Sequence, residues 1–378
     1  MRAVRFHGRQ DIRLDEVDEP ICGNGQVKVS TVTPLPRSDP PLWVFAAVVC
    51  TTDLDSAPSS HLYSDLHEYL AGPMAVPVTP HPITREQLPT TLGHEFSGTV
   101  EEIGAGVSGL EIGDCVAVRP NLCDGTCPRC LMGRPNCCDS LGFIGYSGSA
   151  GGLSEHVVVD QKHAFRLPKS MPLDITALVE PLAVAWHAVN RSPLQGTDTV
   201  LVVGAGPIGL AIIQVLKARG IEMIIVVEIS EQRRQFARNF GASHALDPTQ
   251  ADAPTEIQSI TGDAYGASIA FECSGIQAGL DTAMAGIRVH GTTVIVSTWG
   301  QKPVLDAFSV VLFEKHIIGA VVYEDGDFEA VIDAIVSGKI QPRPMITSKI
   351  RMEEVEKGFR ALIREKDQHV KILVDIGA

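Results

Sequence analysis

The run from Thr199 to Gly220 constrains this chain more than any other feature. A β-branched stretch, Thr199-Val200-Leu201-Val202-Val203, leads into Gly204-Ala205-Gly206-Pro207-Ile208-Gly209. An apolar-periodic stretch then runs from Pro207 to Arg219 and stops at Gly220, as a helix would. Strand, glycine turn and helix in this order are the context in which G-x-G-x-x-G has physical meaning. Gly204 makes the tight turn, Gly206 lets the backbone approach a pyrophosphate, and Gly209 lets the helix pack closely on the sheet. The helix start at Pro207 and Ile208 presents free N–H groups and the positive end of its dipole to phosphate. A second apolar strand, 224–227, ends at Glu228, where a carboxylate would bond ribose hydroxyls and repel a 2′-phosphate. NAD is therefore expected over NADP. Arg233 is a further cofactor-binding candidate, and Arg233 with Arg234 supplies positive charge that pulls the other way. A helix from Ser230 to Phe240, and strands near 269–271 and 293–297, continue the alternation. It predicts an α/β fold with a doubly wound parallel sheet.

The rest of the chain follows a different pattern. At 378 residues it is long enough for two or three domains. Residues 1 to 30 read as short strands, and residues 88 to 120 are β-rich with glycine turns. Residues 121 to 152 are loop-like, and the last fifty residues return to mixed α and β. A net charge of -14 argues against nucleic acid, because phosphate binding needs a basic face. The N-terminus has no apolar leader, and the best apolar run, Val200 to Ile213, is broken by glycine and proline. No membrane partner is expected, and a cytoplasmic location is.

Five of the nine cysteines fall within residues 123 to 138. In a reducing compartment that density suggests metal before disulfide. Cys123, Cys127, Cys130 and Cys138 could wrap a tetrahedral Zn²⁺, and four thiolates would leave no open position, so the site reads as structural. A second set is sparser. Gly93-His94-Glu95 follows a turn, and Glu180-Pro181 ends a helical stretch from Leu173. His94 and Glu180 are ligand types for a catalytic zinc, and Glu95 suits a ligand or a partner of its bound water.

The order of these motifs resembles the zinc-containing medium-chain alcohol dehydrogenases, most of all their 2,3-butanediol and sorbitol dehydrogenase branch. Gly142-Phe143-Ile144-Gly145, Gly151-Gly152-Leu153-Ser154-Glu155-His156 and the ending His369-Val370-Lys371-Ile372-Leu373-Val374 share in the likeness. It covers residues 1 to 30 and about 65 to 378. It implies a GroES-like β-rich catalytic domain (residues 1–183, completed by 324–378) around a Rossmann NAD-binding domain (184–323). It also implies Zn²⁺ in a catalytic and a structural site, and hydride transfer between a secondary alcohol of diol or polyol type and NAD. The substrate side is a small-molecule alcohol and ketone, and the assembly a homodimer or homotetramer. By the same likeness, His94 and Glu180 would ligate the catalytic zinc, with Glu95 in or beside the shell. The four cysteines would hold the structural zinc, although their first gap is one residue longer than the family's.

One departure matters. The family carries a Cys, the first catalytic-zinc ligand, just before Asp65-Leu66-His67-Glu68-Tyr69, and that frame puts Leu62 in its place. Upstream, Cys50-Thr51-Thr52-Asp53-Leu54 retains a Cys and a Thr-Asp-Leu. Cys50 would then be the ligand and Thr52 the hydroxyl that relays the proton, with His67 beyond it. The segment 31 to 64, rich in proline and serine, reads as irregular, and a retained intron would look the same. Two other readings stay open: a zinc-free NADPH reductase of activated C=C bonds on this fold, and a catalytically impaired NAD-binding homologue.

Overall fold

The computed structural model describes residues 1–32, the backbone of 45–50, and residues 65–148, 150–169, 171–262 and 265–377. Six strands form one parallel sheet, in the spatial order His244–Leu246, Ile224–Val227, Val200–Val203, Ala267–Glu272, Ile287–Ile295, His316–Gly319. Numbered along the chain this order is 3-2-1-4-5-6, the doubly wound dinucleotide-binding topology. Val203 is paired on one side with Val227 and on the other with Glu272, so the order reverses beside the strand that carries the glycine turn. Each strand of Val200–Val203 and Ile224–Val227 is wholly buried, as expected of a sheet covered by helices on both faces. The helix Glu231–Asn239 is capped by Ser230, whose side chain accepts from the amide of Arg233.

The second half is an eight-stranded, mainly antiparallel sheet drawn from both ends of the chain. Gln26–Ser30, Phe96–Ile103, Cys115–Val118 and His156–Asp160 come from the first half, and Ile346–Arg351 and Lys371–Asp375 from the last fifty residues. Between Phe96–Ile103 and Lys371–Asp375 lies a strand over Phe45–Cys50. The irregular reading of 31–64 is therefore corrected for these six residues. Phe-Ala-Ala-Val-Val-Cys has the β-branched and apolar character that a strand flanked on both sides needs. Its register places Cys50 opposite Lys371. Thr52 and Leu62 lie outside the described residues.

The two halves share one core, in which the helices Val179–Arg191 and Pro207–Ala218 pack on each other. Here a second expectation is corrected: Glu180 stands in the first turn of Val179–Arg191 and does not end a helix from Leu173, which stops at Thr176. Pro181 explains the shift, since a residue without an N–H is tolerated in a helix's first turn and not in its interior. The helix Asp325–Val336 is held to the same bundle by His187 Nδ1 and Asp327 Oδ2, 2.7 Å apart and buried. Among the described residues no helix is long and apolar enough to cross a membrane.

Candidate active site

His94 and Glu95 follow Gly93, whose φ of +96° turns the chain into the strand Phe96–Ile103. Glu180 arrives from the first turn of its helix. One ligand atom from each of the three lies within 4.8 Å of the others, and all three side chains are buried. The imidazole has two distinct sides. Nε2 faces Glu95, 3.8 Å from Oε1, and Nδ1 faces Asp65 Oδ2 at 3.7 Å. Asp65 opens the helix Asp65–Ala71, is fully buried, and its oxygens accept no hydrogen bond among the described residues. Tyr146 packs its ring on His94, with centroids 4.7 Å apart.

Glu95 has a cation of its own. Lys371 Nζ donates to both carboxylate oxygens, at 2.6 and 2.7 Å, and is itself wholly buried. Glu180 lies against Tyr323, which follows the last parallel strand, His316–Gly319. Loops that follow parallel strands sit at the carboxyl edge of the sheet, as do Gly204 and Glu228, and this edge is where such sheets bind ligands. Tyr323 therefore brings the His94 cluster to the cofactor edge.

The electrostatics are those of a cation site. Burial pushes the His94 imidazole down, but Asp65, Glu180 and Glu95 outweigh it and lift it to about 9. Burial, with Glu95 adding to it against the pull of His94 and Lys371, raises Glu180 to about 7. Burial and the neighbouring Glu180 hold the Tyr323 phenol well above its ordinary value. Burial alone lowers His67, on the helix that Asp65 opens. An imidazole between buried carboxylates, with an Asp on its far nitrogen that has no hydrogen bond among the described residues, is the donor set and second shell of a Zn²⁺ site. The residues fit the metal. Glu95, with both oxygens on Lys371, is the least available of the three as a ligand. Cys50 is described only by its backbone.

The dinucleotide side keeps the predicted geometry. Gly204 has φ +93°, and a Cβ there would meet the backbone of Cys273 and Ser274 at 3.1–3.2 Å. A Cβ on Gly209 would stand 2.0 Å from the Gly204 carbonyl, so only glycine lets this helix approach its strand. Gly206 caps the helix and Pro207 opens it, with Ile208 in the same turn. Glu228 Oε2 accepts from the Ala205 amide at 2.8 Å and Oε1 from the Ser230 amide at 2.9 Å. It lines a pocket with Gly204, Arg233, Ser274, Gly279 and Lys366. Arg233 donates to the Lys366 carbonyl at 3.1 Å. Arg234 turns back onto the carbonyls of Glu228 and Ile229, so of the two arginines Arg233 lines the pocket.

Of the four cysteines expected to bind metal together, the structure groups Cys127, Cys130 and Cys138, and the fourth member is Asp124 instead of Cys123. Sequence reasoning missed Asp124, Asp65, Lys371, Tyr146 and Tyr323. For Asp124 the signal was the long first cysteine gap. Asp65 and Lys371 stood in stretches used only for the family likeness, and nothing in the sequence marked the two tyrosines.

The comparisons with known proteins agree with this geometry. Residues 44–169 match the alcohol dehydrogenase GroES-like domain, and residues 207–337 match the zinc-binding dehydrogenase model. The chain is 38% identical to the (R,R)-butanediol dehydrogenase of Bacillus subtilis (strain 168) over 99% of each chain. It is 38% identical to a (R,R)-butanediol dehydrogenase of Saccharomyces cerevisiae over 82% of this chain and 87% of that one. The crystal structure of 2R,3R-butanediol dehydrogenase from Bacillus subtilis superposes with a TM-score of 0.87 at 37% identity, covering 99% of each chain.

Proposed function

This chain belongs to the zinc-containing medium-chain alcohol dehydrogenases, in the branch of the butanediol and sorbitol dehydrogenases, and we propose that it interconverts a vicinal secondary diol and the hydroxyketone with NAD(H). It is an alcohol dehydrogenase acting on CH–OH donors, with Zn²⁺ and NAD(H) as cofactors. The observation that carries the reading is the buried His94–Glu180 pair at the carboxyl edge of the parallel sheet. The diol rests on relatives named as butanediol dehydrogenases at 35–38% identity. The preference for NAD rests on Glu228 in the ribose position.

His94 and Glu180 would hold the zinc, with Cys50 as the third ligand. The support for Cys50 is its strand register: its backbone lies opposite Lys371, whose ammonium reaches Glu95 inside the cluster. The metal, when bound, supplies a Lewis acid that eases loss of the alcohol proton. Asp65 fixes the orientation of the imidazole. Glu95 stays beside the shell, its charge balanced by Lys371. The Gly204–Gly209 turn would hold the pyrophosphate, because the helix start favours negative charge. Thr52 and His67 carry the alcohol proton towards solvent, a role the lowered pKa of His67 favours by keeping it neutral and able to accept.

We read the chain as a GroES-like lobe (1–183 with 324–378) and a Rossmann lobe (184–323), in a cytoplasmic homodimer or homotetramer. Among the described residues the edge strand His316–Gly319 is paired only with Ile287–Ile295, and Val304, Phe308 and Val311, just before it in sequence, are more than 70% exposed. A second copy would extend the sheet and cover them; light scattering on the purified chain checks it.

The function is tested by metal analysis and NADH formation from (R,R)-butanediol and sorbitol, with C50A alongside the parent. We expect turnover with the diol, abolished by a strong chelator and restored by Zn²⁺, and one zinc fewer per chain in C50A. Turnover in metal-free protein would overturn the zinc reading. Tight NAD binding with no turnover on any diol or polyol would favour the impaired homologue, in which Leu62 has displaced the ligand.

A further inference from the structure

We propose that the second metal site of this chain is held by one carboxylate and three thiolates, Asp124, Cys127, Cys130 and Cys138, and that Cys123 is not a ligand. Three independent observations meet here. First, one ligand atom from each of the four residues lies within 4.8 Å of the others, and Cys123 is not in the group. Second, the sulfurs of Cys127 and Cys138 are 3.9 Å apart. Zinc–sulfur bonds of about 2.3 Å at tetrahedral angles put neighbouring sulfurs about 3.8 Å apart, so this pair already stands at the spacing a shared metal would set. Third, the Asp124 carboxylate serves both the turn and the sulfur group. Oδ1 accepts from the amides of Thr126 and Cys127, at 2.7 and 2.8 Å, and shapes the turn. The same carboxylate also lies within hydrogen-bonding reach of the Cys127 and Cys138 side chains, so it faces the sulfur group.

The backbone is arranged to hold anions at the sulfurs. The amides of Asp124 and Ser140 donate to Cys138 Sγ at 3.3 and 3.4 Å, and those of Cys130 and Asp139 donate to Cys127 Sγ at 3.5 Å. Donors aimed at thiolates orient and stabilise ligands in such loops. The amide of Asp124 is thus already in this network, one residue past Cys123. With Asp124 as first ligand the spacing becomes two, two and seven intervening residues, and the long first gap disappears. A carboxylate is a harder donor than a thiolate, so the site should bind zinc less covalently and release it faster than an all-cysteine cage.

Two measurements test this on the full-length, zinc-loaded chain. In the first, iodoacetamide labelling with peptide mapping is run before and after zinc removal. We expect the rate at Cys123 to be unchanged by zinc, while Cys127, Cys130 and Cys138 are protected by it. Zinc-dependent protection of Cys123 would overturn the proposal. In the second, zinc content and zinc release to a chromogenic chelator are compared in C123S and D124N, the latter keeping an Oδ1 for the turn. We expect C123S to match the parent and D124N to release one zinc per chain at least ~10-fold faster, the size of effect that a lost shell interaction gives. Loss of that zinc in C123S, or an unchanged release rate in D124N, would refute it. Neither readout depends on turnover or on the identity of the substrate.

Discussion

Lys371 and Glu95, 276 positions apart in sequence, form a two-pronged ion pair with both side chains buried. Removing one partner of such a pair leaves a charge with neither water nor a counter-ion, which typically costs about 3–5 kcal/mol. K371M should therefore lower stability by roughly that amount, read as a fall in the midpoint of thermal or urea unfolding. K371M/E95Q should recover a large part of the loss, because it removes the orphaned charge. A double variant no more stable than K371M would show that the pair is not the cause.

With His94 as a zinc ligand, Asp65 would act on the metal through the imidazole, and its variant should separate metal affinity from fold. D65N keeps the shape and removes the charge that faces Nδ1 at 3.7 Å. Loss of a second-shell partner of this kind lowers metal affinity by about 10- to 100-fold. Competition against a calibrated chelator measures it. Equal affinity in D65N and parent would mean that Asp65 is only a buried helix-start residue.

Glu228 should set the cofactor. In E228S the ribose loses its carboxylate and a 2′-phosphate meets less repulsion. The KM for NAD should rise about tenfold, as expected for a lost charged hydrogen bond of roughly 1.5 kcal/mol or more, while the NADP reaction improves and kcat with saturating NAD changes less. Arg233, in the same pocket, supplies positive charge that the phosphate can use. No shift in the NAD to NADP ratio would count against Glu228 as the discriminating group.

His163 offers a pH test away from the metal sites. Burial, with Arg119 and Lys162 adding to it, lowers its pKa to about 4, and its Nδ1 lies 2.9 Å from the Arg119 carbonyl. The unfolded chain takes up a proton near the ordinary value of about 6.5, and the native chain does so only near 4. Stability from this group is thus full above about 6.5 and is lost as the pH falls towards 4, by about 3 kcal/mol in all. H163Q should flatten the dependence of the unfolding midpoint between pH 6.5 and 4. A slope unchanged from the parent would assign that dependence to other groups.

The parallel sheet was legible because its signals are local. A glycine turn between a β-branched strand and an apolar helix has few physical solutions, and Glu228 fell where the second strand had to end. His94 and Glu180 were legible as ligand types but were joined only by the family likeness, since nothing local links residues 86 positions apart. Lys371 could not be read as a partner of Glu95, because the pairing depends on a strand that closes the sheet from the other end of the chain. Phe45–Cys50 was misread as irregular for a related reason: prolines on its flank masked a strand whose neighbours are remote. Glu180 was placed at the wrong end of a helix because proline was read as a stop when it stood in a first turn. Asp124 was passed over because only cysteines were weighed as partners in that loop, although the long first gap stood in the sequence.

The strand Lys371–Asp375 carries the charge that completes a cluster begun at residue 94. During synthesis, Glu95 leaves the ribosome long before the ammonium that balances it exists. The catalytic lobe can therefore close only after residue 371 has been made, whereas the glycine-turn sheet has every one of its strands by residue 319. A chain that stopped before residue 371 would still be able to build the nucleotide half, yet it would arrive with a naked carboxylate at the centre of the other.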